Sequence, residues 1–271
     1  MPELPEVETI RRGLAPHLIG RTLCRVDVRQ ARLRRPVPQA LQGECIGTSI
    51  HEIGRRGKYL LFYTGRGTLI WHLGMSGSLR ILTYGRRAEK HDHIDLVFEG
   101  GICLRYRDPR RFGLVEWTEA DPLEHPLLCH LGAEPLEDEF DGAYLWQRSR
   151  NRKIPLKNFI MDSRVVVGVG NIYASEALFQ AGLRPDRPTG SLTKHMAEKL
   201  IAAIKDVLAR AIAAGGTSLR DFVDGQGQPG YFAQELKVYG RARQPCPACG
   251  GPIDKKMVGQ RSSFFCPRCQ K

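Results

Sequence analysis

The sequence predicts an α+β protein of several domains: an N-terminal antiparallel β-sandwich with flanking helices, a helical middle, and a C-terminal β-hairpin built around a metal. Three observations predict it. Short apolar runs broken by turn signals occupy residues 20–117, helical apolar spacing occupies residues 144–215, and two Cys-x2-Cys pairs lie near the C-terminus. At roughly 100–200 residues per domain, 271 residues make two domains with room for a small third unit.

The first element is a helix. Pro5 suits a first turn, Glu6 and Glu8 sit near the positive end of the dipole, and Val7, Ile10 and Leu14 repeat at helical spacing. Strands follow at Thr22–Val28, Tyr59–Tyr63, Leu69–Leu73, Ile94–Phe98 and Ile102–Tyr106, separated by turns such as Gly65-Arg66-Gly67 and Gly100-Gly101. Several short strands of this kind suit an antiparallel sandwich. The acidic stretch Asp121–Asp141, with Pro122, Pro126 and Pro135, reads as the connection between domains.

In the middle of the chain the clearest helix runs from about Thr193 to Ala214. Met196, Leu200, Ile204, Val207 and Ile212 form its apolar face, and Gly215-Gly216 stops it. Before it, Lys157–Glu176 reads as a short helix running into Asp162-Ser163, a glycine-bearing turn, and a second helix N-capped by Asn171 and ending near Gly182. Helix pairs of this kind are more often packing than DNA binding, but this one lies beside a basic run, and a helix start can hold a phosphate.

Charge points to a polyanionic partner. Formal net charge is +12 and the pI is about 9.5. The charge is also sorted into blocks. Residues Phe112 to Gln147 hold nine acids and no Lys or Arg, Arg148 to Lys157 hold five basic residues, and Arg241 to Lys271 hold seven against Asp254 alone. No apolar run approaches the roughly 18 residues of a membrane span, and residues 1–20 lack a signal-peptide pattern, so a cytoplasmic protein is expected.

Cys24, Cys45, Cys103 and Cys129 are scattered and read as free thiols. Cys246, Cys249, Cys266 and Cys269 are spaced as C-x2-C, sixteen residues, C-x2-C, which is a four-thiolate zinc pattern with iron as the runner-up. Four ligands leave no open position for water, so the single zinc ion is structural. It holds a hairpin over Pro252–Phe265 with Gly259-Gln260 at the tip and Arg261 just after it. Even with four thiolates on the ion the module stays positive, which suits a phosphate backbone.

Met1-Pro2 offers a terminal secondary amine once the methionine is removed. Such an amine attacks a sugar carbon to give an iminium ion that cannot shed its charge. An ordinary helix start uses the same residues, and the N-terminus by itself does not decide between the two.

Six motifs in order do. They are Pro2-Glu3-Leu4-Pro5-Glu6-Val7-Glu8-Thr9, Gly57-Lys58-Tyr59-Leu60-Leu61, His72-Leu73-Gly74-Met75-Ser76-Gly77-Ser78, Asp108-Pro109-Arg110-Arg111-Phe112-Gly113, Val167 through Glu176, and Tyr231 through Leu236, followed by the four cysteines. Through them essentially the whole chain resembles the bacterial formamidopyrimidine-DNA glycosylase family of 8-oxoguanine repair enzymes. The resemblance implies a β-sandwich catalytic domain over 1–131, a helix–two-turn–helix domain over 132–236 and a zinc finger over 237–271. It implies a bifunctional glycosylase and abasic-site lyase acting on duplex DNA with oxidised purines, through a Schiff base at Pro2 and β,δ-elimination.

Roles follow from the same resemblance. Pro2 is the nucleophile, Glu3 the acid at the opening sugar, Lys58 the proton donor and phosphate contact of β-elimination, and Arg261 the donor for δ-elimination. His91, Arg110 and Arg152 hold DNA, with Lys157 and Asn171 on phosphates. Met75, Arg110 and Phe112 fill the space left by the flipped base. Residues 217–230, with Gly225, Gly227 and Gly230, resemble a flap over that base, and Arg220 stands where some members have lysine. The expected protein is a monomer in the bacterial cytoplasm at the nucleoid, with no small-molecule cofactor and no membrane partner.

Residue by residue, blander readings exist: His91 and His93 as a metal pair, Met75 as core, Lys58 as a solvated charge. Two other functions also compete. A sister glycosylase for oxidised pyrimidines is opposed by Leu4 and by the Met75, Arg110 and Phe112 set. A non-catalytic zinc-ribbon DNA binder is opposed by the intact Pro2, Glu3, Lys58 and Arg261.

Overall fold

A computed structural model describes residues 2–217 and 235–271. Most of the expected flap over 217–230, with Arg220 and its glycines, lies outside the described residues. The described residues form two compact units, residues 2–129 with 214–217 and residues 130–213 with 235–271.

The first unit opens with helix α1 (Leu4–Leu18). Glu3 is its N-cap, and a reciprocal capping box links Glu3 to Glu6 at the third helical position, with Pro in the first turn. Eight strands follow: β1 (Leu23–Val28), β2 (Ile50–Arg56), β3 (Tyr59–Thr64), β4 (Thr68–His72), β5 (Ser78–Thr83), β6 (Asp92–Phe98), β7 (Ile102–Arg107) and β8 (Leu114–Thr118). They form two four-stranded antiparallel sheets, ordered β1-β6-β7-β5 and β2-β3-β4-β8.

Alternate residues of the two sheets make one core. Leu60, Phe62, Leu69, Trp71 and Val115 from one sheet join Leu79, Ile94, Leu96, Leu104 and Tyr106 from the other, with Val7, Ile10, Leu14 and Leu18 of α1. The Trp71 and Tyr106 rings meet edge-on at 5.2 Å.

Three strands, β2, β5 and β8, escape the apolar-run pattern. In β2 a bulge between Ile50 and Glu52 breaks the alternation, and Gly54 lies under the ring of Tyr63, where a Cβ would come within 2.9 Å of Cε2. The expected strand at Leu69–Leu73 ends one residue early, because Leu73 already turns into the loop that carries Met75.

The second unit holds α2 (Gly142–Ser149), α3 (Leu156–Met161), α4 (Asn171–Gln180) and α5 (Lys194–Ala213), then the hairpin β9 (Asp254–Val258) and β10 (Arg261–Phe265). Asp141 caps α2 by accepting the Tyr144 N–H at 2.7 Å. Thr193 accepts the Met196 N–H at 3.2 Å and starts α5. The buried stripe of α5 is wider than the expected face: Ala197, Ile201, Ala203, Leu208 and Ala211 join Leu200, Ile204 and Val207, while Met196 and Ile212 are half-buried.

Asn171 is not the cap of α4. Gly170 takes that place in extended backbone, and Asn171 is the first helical residue. Its side chain turns instead to the hairpin.

Candidate active site and nucleic-acid interface

The first unit places Pro2 and Glu3 at the buried start of α1, with Glu3 only 3 % exposed. Glu6 fixes this start. One carboxylate oxygen accepts the Glu3 N–H at 2.7 Å and the other accepts the Thr217 N–H at 2.8 Å. One turn on, Glu8 is gripped by Arg11, Arg12 and Arg55 at 2.8 to 3.1 Å. Burial works against its ionisation, but the hydrogen bonds from Arg11 and Arg12 and the charges of Arg11 and Arg55 outweigh it and hold the carboxyl at about 2.

Lys58 is half-buried in the two-residue turn between β2 and β3. Gly57 takes the first turn position at φ +55°, as a II′-type hairpin requires. His72, at the end of β4, meets the Tyr59 ring at 4.8 Å with the two planes tilted by 53°, and accepts the Gly74 N–H on Nδ1 at 3.0 Å. Burial, and then the charges of Lys58 and Arg34, push its imidazole down to about 4, so it is neutral at physiological pH.

Two loops of the same unit expose Met75 (38 %) and Phe112 (45 %). Arg110 is exposed beside them, with its guanidinium 4.8 Å above the Phe112 ring. The loops touch backbone to backbone: a Cβ on Gly74 would lie 2.4 Å from Gly113 N and from Phe112 C. His91 is half-buried at φ +79°, a left-handed conformation uncommon outside glycine. The site therefore holds one cationic group stacked on an aromatic ring and two exposed apolar side chains on braced loops, which is the chemistry of a wedge.

In the second unit Arg152 is exposed, with its guanidinium 5.8 Å from the Phe159 ring. Its neighbours serve the fold: Arg148 donates to Arg164 O at 2.9 Å and Arg150 to Leu192 O. Lys157 lies 0 % exposed, and its ammonium donates to Ser262 O at 3.1 Å and to Ser263 Oγ at 2.7 Å. Asn171 Nδ2 donates to the same Ser262 O at 3.2 Å. The two side chains read from sequence as phosphate contacts thus grip β10. Arg261 is exposed at the start of β10, after a turn in which Gly259 and Gln260 both have positive φ, the I′ geometry.

Cys246, Cys249, Cys266 and Cys269 bring their sulfurs within 4.8 Å of one another, with pairs at 3.5 and 3.9 Å. Four thiolates about 2.3 Å from one ion, at tetrahedral angles, stand about 3.8 Å apart, so the cradle fits zinc. Val238, Ile253 and Phe264 pack beneath it. Gln270 accepts the Cys266 N–H at 2.8 Å and donates to Leu183 O at 2.7 Å, which ties the second knuckle to the helices.

Two further residues carry weight that residue type does not reveal. Glu176, buried in α4, accepts the N–H groups of Lys237, Val238 and Tyr239 at 2.8 to 3.0 Å. Asp108 is wholly buried between the loops of the first unit. Their motifs are visible in the sequence, but the partners of Glu176, and several of those of Asp108, are backbone groups, which leave no trace in residue identity.

Three family models match: the formamidopyrimidine-DNA glycosylase N-terminal domain over residues 1–115, the H2TH domain of the same enzymes over 131–223, and a zinc finger found in FPG and IleRS over 243–271. A formamidopyrimidine-DNA glycosylase of Methylococcus capsulatus is 57 % identical over 271 residues, covering all of both chains. The MutM (Fpg) crystal structure from Thermus thermophilus superposes with a TM-score of 0.87 at 40 % identity, covering 99 % of this chain and 98 % of that one. Lactococcus lactis Fpg with abasic-site DNA gives 0.92 at 36 %, covering 99 % of each chain. The same Lactococcus protein with oxidised-pyrimidine DNA gives 0.92 at 35 %, covering both chains fully. In sequence, architecture and its four-thiolate zinc site, the chain belongs to the formamidopyrimidine-DNA glycosylases, repair enzymes that excise damaged bases and cleave the resulting abasic site.

Proposed function

We propose that this glycosylase removes oxidised purines, 8-oxoguanine and formamidopyrimidines, from duplex DNA through a covalent intermediate at Pro2. The observation that carries the reading is the pinned start of α1. Pro2 precedes an N-cap whose backbone N–H is held by Glu6 at 2.7 Å, so a terminal amine there has a fixed direction. The positive end of the helix dipole disfavours a further positive charge at that point, which favours the neutral, nucleophilic amine. The amine attacks C1′ and the base leaves, so that C1′ carries both the amine nitrogen and the ring oxygen. Glu3 protonates the ring oxygen, the C1′–O4′ bond breaks, and the iminium ion that forms acidifies C2′, whose proton is then lost as the 3′-phosphate departs. Lys58 and Arg261 serve the β- and δ-eliminations.

His91, Arg110 and Arg152 hold the duplex, while Met75, Arg110 and Phe112 occupy the space of the flipped base. Lys157 and Asn171 serve phosphate binding through the hairpin strand they grip. The domains are 1–131, 132–236 and 237–271, and the enzyme works as a monomer at the nucleoid in the cytoplasm.

Borohydride trapping on duplex containing 8-oxoguanine tests the chemistry, because it needs both excision of the base and the covalent step. Pro2→Gly, or a blocked N-terminus, abolishes the trapped complex. Normal trapping by a blocked protein rules the role out. A second lesion class has a specific observation in its favour, the Lactococcus relative solved with an oxidised pyrimidine. Single-turnover excision on a panel of both classes ranks the two.

A further inference from the structure

Asp108 begins the loop that carries Arg110 and Phe112 and is 0 % exposed. Every polar atom of the residue is engaged. Oδ1 accepts from Ser76 Oγ at 2.6 Å and from the Arg110 N–H at 3.2 Å. Oδ2 accepts from Tyr106 Oη at 3.0 Å and from the Gly113 N–H at 2.9 Å. Its backbone N–H donates to His91 O at 3.0 Å, and its carbonyl accepts from the Arg111 N–H at 3.2 Å and meets His93 Nε2 at 2.8 Å. Ser76 completes the link, since its hydroxyl also accepts the Arg110 N–H at 3.2 Å.

These bonds reach three loops, carrying Met75, His91, and Arg110 with Phe112. There is no room for slack around them. A Cβ on Gly113 would lie 1.8 Å from Tyr106 Oη, and one on Gly77 would lie 2.7 Å from the same atom. Burial and the adjacent Asp108 carboxylate both keep the Tyr106 phenol protonated, so it remains a donor.

We propose that Asp108 is the positioning residue that sets His91, Met75, Arg110 and Phe112 in one fixed arrangement, and through it the enzyme's discrimination of the base opposite the lesion. The inference rests on the reading of Arg110 and Phe112 as the group that fills the vacated stack. A carboxylate suits the task because it accepts at both oxygens with equal geometry. In Asp108→Asn the amide nitrogen replaces an acceptor on one side or the other: a hydroxyl there can turn to accept, but the backbone N–H of Arg110 or of Gly113 loses its carboxylate acceptor and faces a second donor.

The test is single-turnover excision of 8-oxoguanine opposite each of the four bases, beside cleavage of a ready-made abasic site opposite cytosine. Asp108→Asn slows excision opposite cytosine by about tenfold to a hundredfold. It narrows the cytosine-over-adenine ratio in the same sense as is expected of Arg110→Ala, which removes the guanidinium that would fill the vacated stack and donate to the opposite base, and it slows abasic-site cleavage less, because no base remains to be extruded. Ser76→Ala, which removes only the bridge between two loops, gives the same pattern more weakly. It carries the test alone if thermal melting shows that Asp108→Asn does not fold. If Arg110→Ala narrows the ratio and these variants leave it intact, Asp108 has no positioning role. If Arg110→Ala itself leaves the ratio intact, the proposal falls together with the reading it rests on.

Discussion

Lys157 and Ser263 meet inside the protein, the buried ammonium donating to the hydroxyl oxygen at 2.7 Å while it also holds Ser262 O at 3.1 Å. Both partners lie on β10, the strand that Arg261 begins. The expected result of Lys157→Met is a loss of about 1–3 kcal/mol in stability, from hairpin groups left without their donor. DNA affinity weakens with it, but its slope against log salt is preserved. Loss of a direct phosphate contact reduces that slope by about 0.9, and a change of that size would return Lys157 to the phosphates.

Glu176 plays the corresponding part for residues 237–239. Three N–H groups converge on its two oxygens, so Glu176→Gln sets an amide against at least one of them. Urea denaturation should show the variant less stable by about 1–3 kcal/mol. A neutral result would mean that residues 237–239 find other acceptors.

Cys249→Ser removes one of four zinc ligands. Metal binding in zinc peptides is worth roughly 10–16 kcal/mol, so the hairpin, whose core beneath the ion is small, depends on it. Zinc content measured by colorimetric chelation should fall and DNA binding should weaken. Equal zinc content and equal binding would refute the structural assignment.

His72 makes stability depend on pH. Its folded value of about 4 lies below the ordinary value of 6.5, so the unfolded chain takes up a proton more readily. His72's contribution is therefore fully present above pH 6.5 and is lost as pH falls from 6.5 towards 4, by on the order of 2–3 kcal/mol. Asparagine at this position keeps an acceptor for the Gly74 N–H and does not titrate. Denaturant midpoints at pH 7.5 and 4.5 should show His72→Asn losing less stability than the parent on acidification. Equal losses would assign the dependence to other groups.

Much of this protein is legible in its sequence where identity and spacing determine position. The cysteine spacing brings four sulfurs together, and Gly259-Gln260 gives the hairpin tip, because both features are local. The helix α5 falls within one residue of its expected limits. What escaped depends on partners distant in the chain. The strand β2 hides behind a bulge and a glycine shaped by Tyr63. Asn171 has a residue type that suits a cap, yet Gly170 caps α4 and the Asn171 side chain faces Ser262, about 90 positions further along the chain; the bond from Lys157 to the same residue, 105 positions on, is likewise invisible in its residue type. Asp108 shows why: four of its contacts are with backbone groups, and any residue but proline offers an N–H.

The turn that carries Lys58 also limits how this protein can vary in length. Arg56 pairs with Tyr59 and Arg55 with Leu60, leaving only Gly57 and Lys58 between the strands. One inserted residue either opens a longer loop and carries the ammonium away, or slips the register and turns Leu60 and Phe62 out of the core. Neither can be repaired locally. An insertion here would displace either the Lys58 ammonium or the sandwich interior, so drift in chain length must be absorbed elsewhere, and the spacing of Lys58 from the core strands should be among the least negotiable lengths in the fold.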